Sequence, residues 1–155
     1  NPRKAADLTV PADGELPLKD VNGDSLEIAL EATPDGAAQF GLVVAASPDG
    51  REQTRVFYDA AEKKLKIDTA KSSLGEGPKG VEGGPFELKA GEPLRLRVFL
   101  DRSVVEVFAN DGRQAVTRRI YPSRPDSLGA ALFSVGGPAT VTTLEAWDIA
   151  PSNPY

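Results

Sequence analysis

Residues 94–121 read L-R-L-R-V-F-L-D-R-S-V-V-E-V-F-A-N-D-G-R-Q-A-V-T-R-R-I-Y. Leu94, Leu96, Val98 and Leu100 alternate with Arg95, Arg97 and Phe99, the two-residue period of a half-buried strand. Asp101-Arg102-Ser103 turns the chain into Val104–Ala109. With Arg102-Ser103 as the loop, Leu100 faces Val105 and Val98 faces Val107 on the core side. On the other side Phe99 opposes Glu106 and Arg97 opposes Phe108. Asn110-Asp111-Gly112 makes a second tight turn, because Asp-Gly supplies the positive φ angles of a type I′ hairpin, and a third strand runs to Ile120. In this register Glu106 opposes Thr117, with Arg119 diagonal on one side and Arg97 on the other. A carboxylate held between two guanidiniums is therefore expected.

The same alternation extends outward in both directions. Asp24–Ala32 puts Leu26, Ile28 and Leu30 on one face. Gln39–Ala46 is a more continuous apolar run, suited to an inner strand. Thr54–Asp59 and Lys64–Asp68 form a hairpin around Ala60–Lys63, with Leu65 and Ile67 inward and the lysines in water. Leu128–Val135 and Thr140–Ile149 supply two closing strands. Turn residues such as Ser47-Pro48-Asp49-Gly50 recur about every 8–12 residues, and no helical stripe is present. The chain is thus all-β, a two-sheet antiparallel β-sandwich of the jelly-roll kind. It forms one domain over residues 1–155 with a core of about 16–149. Residues 71–85 read as its longest exposed loop. Gly75-Glu76-Gly77-Pro78-Lys79-Gly80 within that loop matches G-x-G-x-x-G, but no helix follows to receive a pyrophosphate, so the loop reading stands. Residues 151–155 leave the fold.

Composition narrows the chemistry. Of 155 residues, 23 are acidic and 18 basic, a net charge of −5. That balance repels nucleic-acid phosphates and anionic lipid headgroups. No apolar run reaches the ~18 residues that cross a bilayer. Cys and His are absent, which removes disulfides, thiolate and imidazole metal sites, and every Ser-His or Cys-His arrangement. No cofactor and no metal are expected. There is no Met, and Asn1-Pro2-Arg3-Lys4 reads as part of a longer polypeptide. Absence of Cys suits any compartment, so localisation stays open.

Two readings of the outward face compete with a purely structural one. Asp101 and Glu106 would lie roughly 7–9 Å apart, within the carboxylate spacing of inverting glycosidases. Yet an Asp opening a turn accepts backbone N–H bonds, and a Glu between two arginines stays ionised, which is wrong for a general acid. No catalytic residue is therefore assigned. Alternatively Arg97, Phe99, Asp101, Glu106, Arg119 and Tyr121 mix charge and aromatic surface in the way a sugar site requires. A sheet docked on a neighbouring domain, or on a second copy of the chain, requires the same mixture. Trp147, in V-T-T-L-E-A-W-D-I, fits no simple parity and reads as a core or interface anchor.

Val98 to Pro122, V-F-L-D-R-S-V-V-E-V-F-A-N-D-G-R-Q-A-V-T-R-R-I-Y-P, resembles the signature of the C-terminal domain of glycoside hydrolase family 32, the invertases, inulinases and levanases. Phe40–Gly50, Val56–Ser73, Leu128-Gly129 and Thr143–Trp147 resemble it in the same order. The resemblance implies a concanavalin A-like sandwich packed on a β-propeller catalytic domain of the same polypeptide. It further implies an accessory role that stabilises the propeller. Alternatives are recognition of terminal fructosyl units of a fructan, or oligomerisation. A parent acting on polymeric fructan would be secreted or periplasmic. The chain departs from the family pattern at Thr69, where an Arg usually follows I-D. It also lacks the W-M-N-D-P-N-G-like, R-D-P and E-C motifs of the propeller, so the 155 residues alone are expected to be inactive.

Overall fold

The computed structural model describes residues 2–75 and 79–149. The chain runs through β1 (Arg3–Val10), β2 (Gly14–Asn22), β3 (Ser25–Thr33), β4 (Gln39–Ala46), β5 (Thr54–Asp59) and β6 (Lys64–Asp68). It continues through β7 (Val81–Pro85), β8 (Leu94–Asp101), β9 (Val104–Ala109), β10 (Gln114–Arg119), β11 (Gly129–Val135) and β12 (Ala139–Asp148). Among the described residues there is no helix. One six-stranded sheet has the order β1-β12-β3-β8-β9-β10, the other β2-β11-β4-β5-β6-β7. All neighbouring pairs are antiparallel. The jelly-roll sandwich read from the alternation is therefore the fold.

Alternation places the core. Leu26, Ile28 and Leu30 of β3, Leu94, Leu96, Val98 and Leu100 of β8 and Val105 and Val107 of β9 point inward from the first sheet, all nearly inaccessible. They meet Phe40, Leu42, Val56, Tyr58, Leu65, Ile67 and Leu132 of the second sheet in one continuous cluster. Such burial is the dominant favourable contribution to folding. The β8–β9–β10 register is the expected one, with Phe99 opposite Glu106, Arg97 opposite Phe108 and Glu106 opposite Thr117.

Several elements differ from the sequence reading. Strands β1 and β2 lie partly or wholly ahead of residue 16, where a weak apolar period hides them. β1 earns its place by pairing with β12 from the far end of the chain, Arg3 opposite Ala146. Val81–Pro85, read as loop, is the edge strand β7 against β6. Its V-E-G-G-P has no alternation to show, since a Cβ on Gly83 would lie 2.0 Å from the Leu65 carbonyl oxygen. The β9–β10 turn is wider than a two-residue loop. Asn110, Asp111 and Gly112 all take positive φ, at 45°, 61° and 85°, and pairing resumes only at Ala109 opposite Gln114. The buried Asn110 side chain accepts from the Arg95 amide at 2.8 Å and donates to the Pro93 carbonyl at 2.9 Å. Lys66 is not left in water: its ammonium donates to Asp59 at 3.0 Å and pairs with Glu62. The G-x-G-x-x-G match falls partly on residues 76–78, and the 151–155 tail wholly on residues outside those described.

Candidate functional site

Three side-chain rows cross the outer face of the first sheet. Glu145, Ala29, Arg97 and Phe108 are successive cross-strand partners on β12, β3, β8 and β9. One pleat further along lie Trp147, Glu27, Phe99, Glu106 and Thr117, and on the opposite side Thr143, Glu31 and Arg95. The methyl of Ala29 stands among long neighbours, so the face sinks there into an open groove of about 560 Å³. Trp147 and Phe108 line it together with Arg95, Arg97, Glu31 and Glu145. Edge-to-face packing on Phe99, with ring centroids 5.9 Å apart, holds Phe108 in position. The charges compensate in pairs: Arg95 with Glu31 at 3.2 Å, Lys4 with Glu145 at 3.8 Å, and Arg97 with Glu27.

Of the six residues singled out in the sequence, only Arg97 lines this groove. Phe99 and Glu106 occupy the next row, and Asp101 and Arg119 the row beyond, both opposite Val104. Tyr121 has left the sheet and stands 55% exposed in the following loop. The expected carboxylate between two arginines does not form. Arg97 turns to Glu27 on the other neighbouring strand, and Glu106 accepts the Thr117 hydroxyl at 2.7 Å. Cross-strand register sets which residues are near but not which neighbour a long side chain selects. Trp147 is half-buried on the groove wall and not in the core. Its odd parity comes from a bulge in β12 between Val141 and Thr143, which flips the facing of every residue after it. Because Glu106 is a partly exposed strand residue with one hydroxyl partner, Glu106→Ala is expected to cost no more than about 1 kcal/mol. Urea unfolding of the variant checks this.

A second centre sits at one end of the sandwich. Glu52, in the β4–β5 connection, has no accessible surface. Its Oε2 accepts from the Leu74 amide at 2.9 Å and from the Ser123 amide and hydroxyl at 2.9 and 2.7 Å. Its Oε1 accepts from the Arg124 amide at 3.0 Å and the Ser127 hydroxyl at 2.6 Å. Burial pushes this carboxyl up, but the hydrogen bonds from Ser127, Ser123 and Arg124 outweigh that effect and bring it from 4.5 down to about 2. Beside it Arg124 bridges Asp49 and Asp126, both at 2.7 Å. The Ser47 hydroxyl, Arg124 and the Arg51 amide hold Asp49 well below the usual carboxylate range. The Asp126 and Asp49 carboxylates raise Arg124 in turn. Nothing local in S-P-D-G-R-E-Q marks Glu52, since its side-chain partners beyond Leu74 are more than 70 residues away. Among the described residues no group of carboxylates is arranged to hold a metal ion.

Comparison with known proteins places this architecture. The profile of the glycosyl hydrolases family 32 C-terminal domain matches residues 2–148. The chain is 35% identical over 148 residues to the levanase of Bacillus subtilis, covering 92% of this chain and 21% of the levanase. It is 35% identical over 115 residues to the extracellular exo-inulinase of Aspergillus niger, covering 72% and 21%. Its fold superposes on the crystal structure of the Aspergillus awamori exo-inulinase with a TM-score of 0.80 at 27% identity, covering 97% of this chain and 29% of that one. The chain thus spans about a fifth of the length of these curated relatives. It belongs to the C-terminal β-sandwich domains of glycosyl hydrolase family 32.

Proposed function

We infer that the chain is a non-catalytic accessory domain of a fructan- or sucrose-processing glycoside hydrolase, and that it stabilises the catalytic propeller of the same polypeptide. One observation carries this reading. Among the described residues, the large apolar side chains left strongly exposed are Leu74, Val81 and Tyr121, at 48%, 50% and 55%. All stand at one end of the sandwich. Val81 opens β7 opposite the last residue of β6, and Arg118, at the end of β10 near Tyr121, pairs with Glu82. Glu52 ties the Leu74 loop to Ser123, two residues beyond Tyr121. Strand β1 opens at this same end, with Arg3 opposite Ala146 and Ile149 bonded to Ser25. It does so at the opposite edge of its sheet from β10, so a neighbour covering the exposed apolar side chains would have to extend across this end. A rigid end with unpartnered apolar surface suits a neighbouring domain, which gains stability by covering it.

The test is made on the full-length enzyme. Leu74→Ser with Tyr121→Ser removes the apolar anchors without touching the sandwich core, and the melting temperature of the catalytic domain is expected to fall by roughly 2–8 °C. An unchanged melting temperature and unchanged kinetics would remove support for the reading. A competing use of this end, contact between two copies of the chain, would appear as a dimer mass lost in the same double variant.

A further inference from the structure

We propose that the Ala29 groove on the outer face of the first sheet is a sugar-binding site for a short run of fructosyl units, separate from the end that meets the catalytic domain. The identity of the sugar rests on the reading of the chain as part of a fructan-processing enzyme; the existence of the site rests on geometry. Four neighbouring strands, β12, β3, β8 and β9, form the floor. At about 4.7–4.9 Å between strands the floor is roughly 14 Å across, room for about two sugar rings. Its volume, about 560 Å³, falls inside the roughly 300–1,000 Å³ of small-ligand sites.

The lining points to a neutral polyhydroxylated ligand. Trp147 and Phe108 offer flat apolar surfaces for the C–H faces of sugar rings. Arg95, Arg97, Glu31 and Glu145 lie between them and are already neutralised in pairs. Paired charges create little net field to attract an ion, but each retains donors and acceptors that hydroxyl groups can engage in strong charge-assisted hydrogen bonds. An anion would lose affinity to the carboxylates and a cation to the guanidiniums. The open shape admits a length of chain and does not enclose a single end residue. Ala29 is the position on which the site depends, because any larger side chain there fills the floor.

Trp147 is the single tryptophan of the sequence, so its emission reports on the groove directly. Titrating the 155-residue protein with levan-type and inulin-type tetrasaccharides, with a malto-tetraose control, is expected to give a saturable emission change for at least one fructan and none for the control. Ala29→Leu, which keeps the reporter and leaves the core untouched, is expected to abolish the change. Arg97→Ala is expected to weaken half-saturation about ten-fold, the equivalent of one lost charged hydrogen bond. The response of the two fructans distinguishes which linkage is read. No saturable change with either fructan, equal binding of the control, or undiminished binding in Ala29→Leu would each overturn the proposal. None of these outcomes bears on the domain-stabilising reading, which melting temperature measures independently.

Discussion

Glu52→Ala is expected to destabilise the domain by about 3–5 kcal/mol, because a buried charged acceptor is removed from donors that have no other partner. Amides of Leu74, Ser123 and Arg124 and hydroxyls of Ser123 and Ser127 all converge on this one carboxylate. With no accessible surface at Glu52, bulk water is not in place to substitute. Glu52→Gln keeps the shape but turns one acceptor into a donor facing donors, so it is expected to lose most of the same stability. Urea unfolding followed by Trp147 emission measures both.

The pH dependence follows from the same bonds. The folded-state value of about 2 lies below the ordinary 4.5, so the unfolded chain takes up the proton first as pH falls. The contribution of Glu52 is therefore complete above about pH 4.5 and declines as pH falls toward about 2, at up to about 1.4 kcal/mol per pH unit. Other carboxylates share this window: Glu92 is held at about 2 by Arg113 and the Lys89 amide, and Asp148 is lowered by Arg3. The Glu52→Gln protein should thus show a flatter loss of stability between about pH 4.5 and 2 than the parent, not a flat one. Parallel curves for the two proteins would contradict the assignment.

The second large effect is expected at Gly41. It lies in β4 directly between Phe133 of β11 and Phe57 of β5, whose rings meet edge to face with centroids 5.7 Å apart on the outer face of the second sheet. The Arg55 guanidinium covers the Phe133 ring at 4.3 Å, a cation–π contact that helps keep this satellite cluster of Val43, Phe57, Ala131 and Phe133 out of water. A Cβ at Gly41 would stand 2.0 Å from the Val56 carbonyl oxygen and 2.6 Å from the Phe57 Cα. Both are backbone atoms of the paired strand and cannot move aside as a side-chain tip would. Gly41→Ala is expected to cost about 3 kcal/mol or more, with β4 and β5 forced apart. Hydrogen exchange should then show faster opening of β4 and β5 than of β3 and β8. Unaltered stability would mean that the strands adjust at this point far more easily than a close-packed sheet allows.

Periodicity of two was sufficient by itself to read β3, β6, β8 and β9, because in a half-buried strand each residue's face depends only on its own parity, while β4 was legible as a continuous apolar run between turns. The same rule made the β8–β9–β10 register legible, since a short turn between adjacent strands leaves one alignment that puts Leu96, Val98, Leu100, Val105 and Val107 together on the core face. Family membership was legible for a related reason: V-F-L-D-R-S-V-V-E-V-F combines that alternation with a specific turn. Where pairing is long-range or the apolar signal is weak, tertiary structure decided. Strand β1 exists because β12, from the far end of the chain, offers an open edge, and β7 because its glycines let it approach β6 closely. Side-chain partnership was likewise undetermined locally. Arg97 had Glu27 and Glu106 on opposite neighbouring strands, and the sheet order brought Glu27 within reach of its guanidinium. The groove required β12 to lie beside β3, with a bulge that turns Trp147 outward toward Ala29. Glu52 acquired its partners only when loops from three separate parts of the chain closed over one end of the sandwich, where the loss of water made one carboxylate the sole acceptor for five donors.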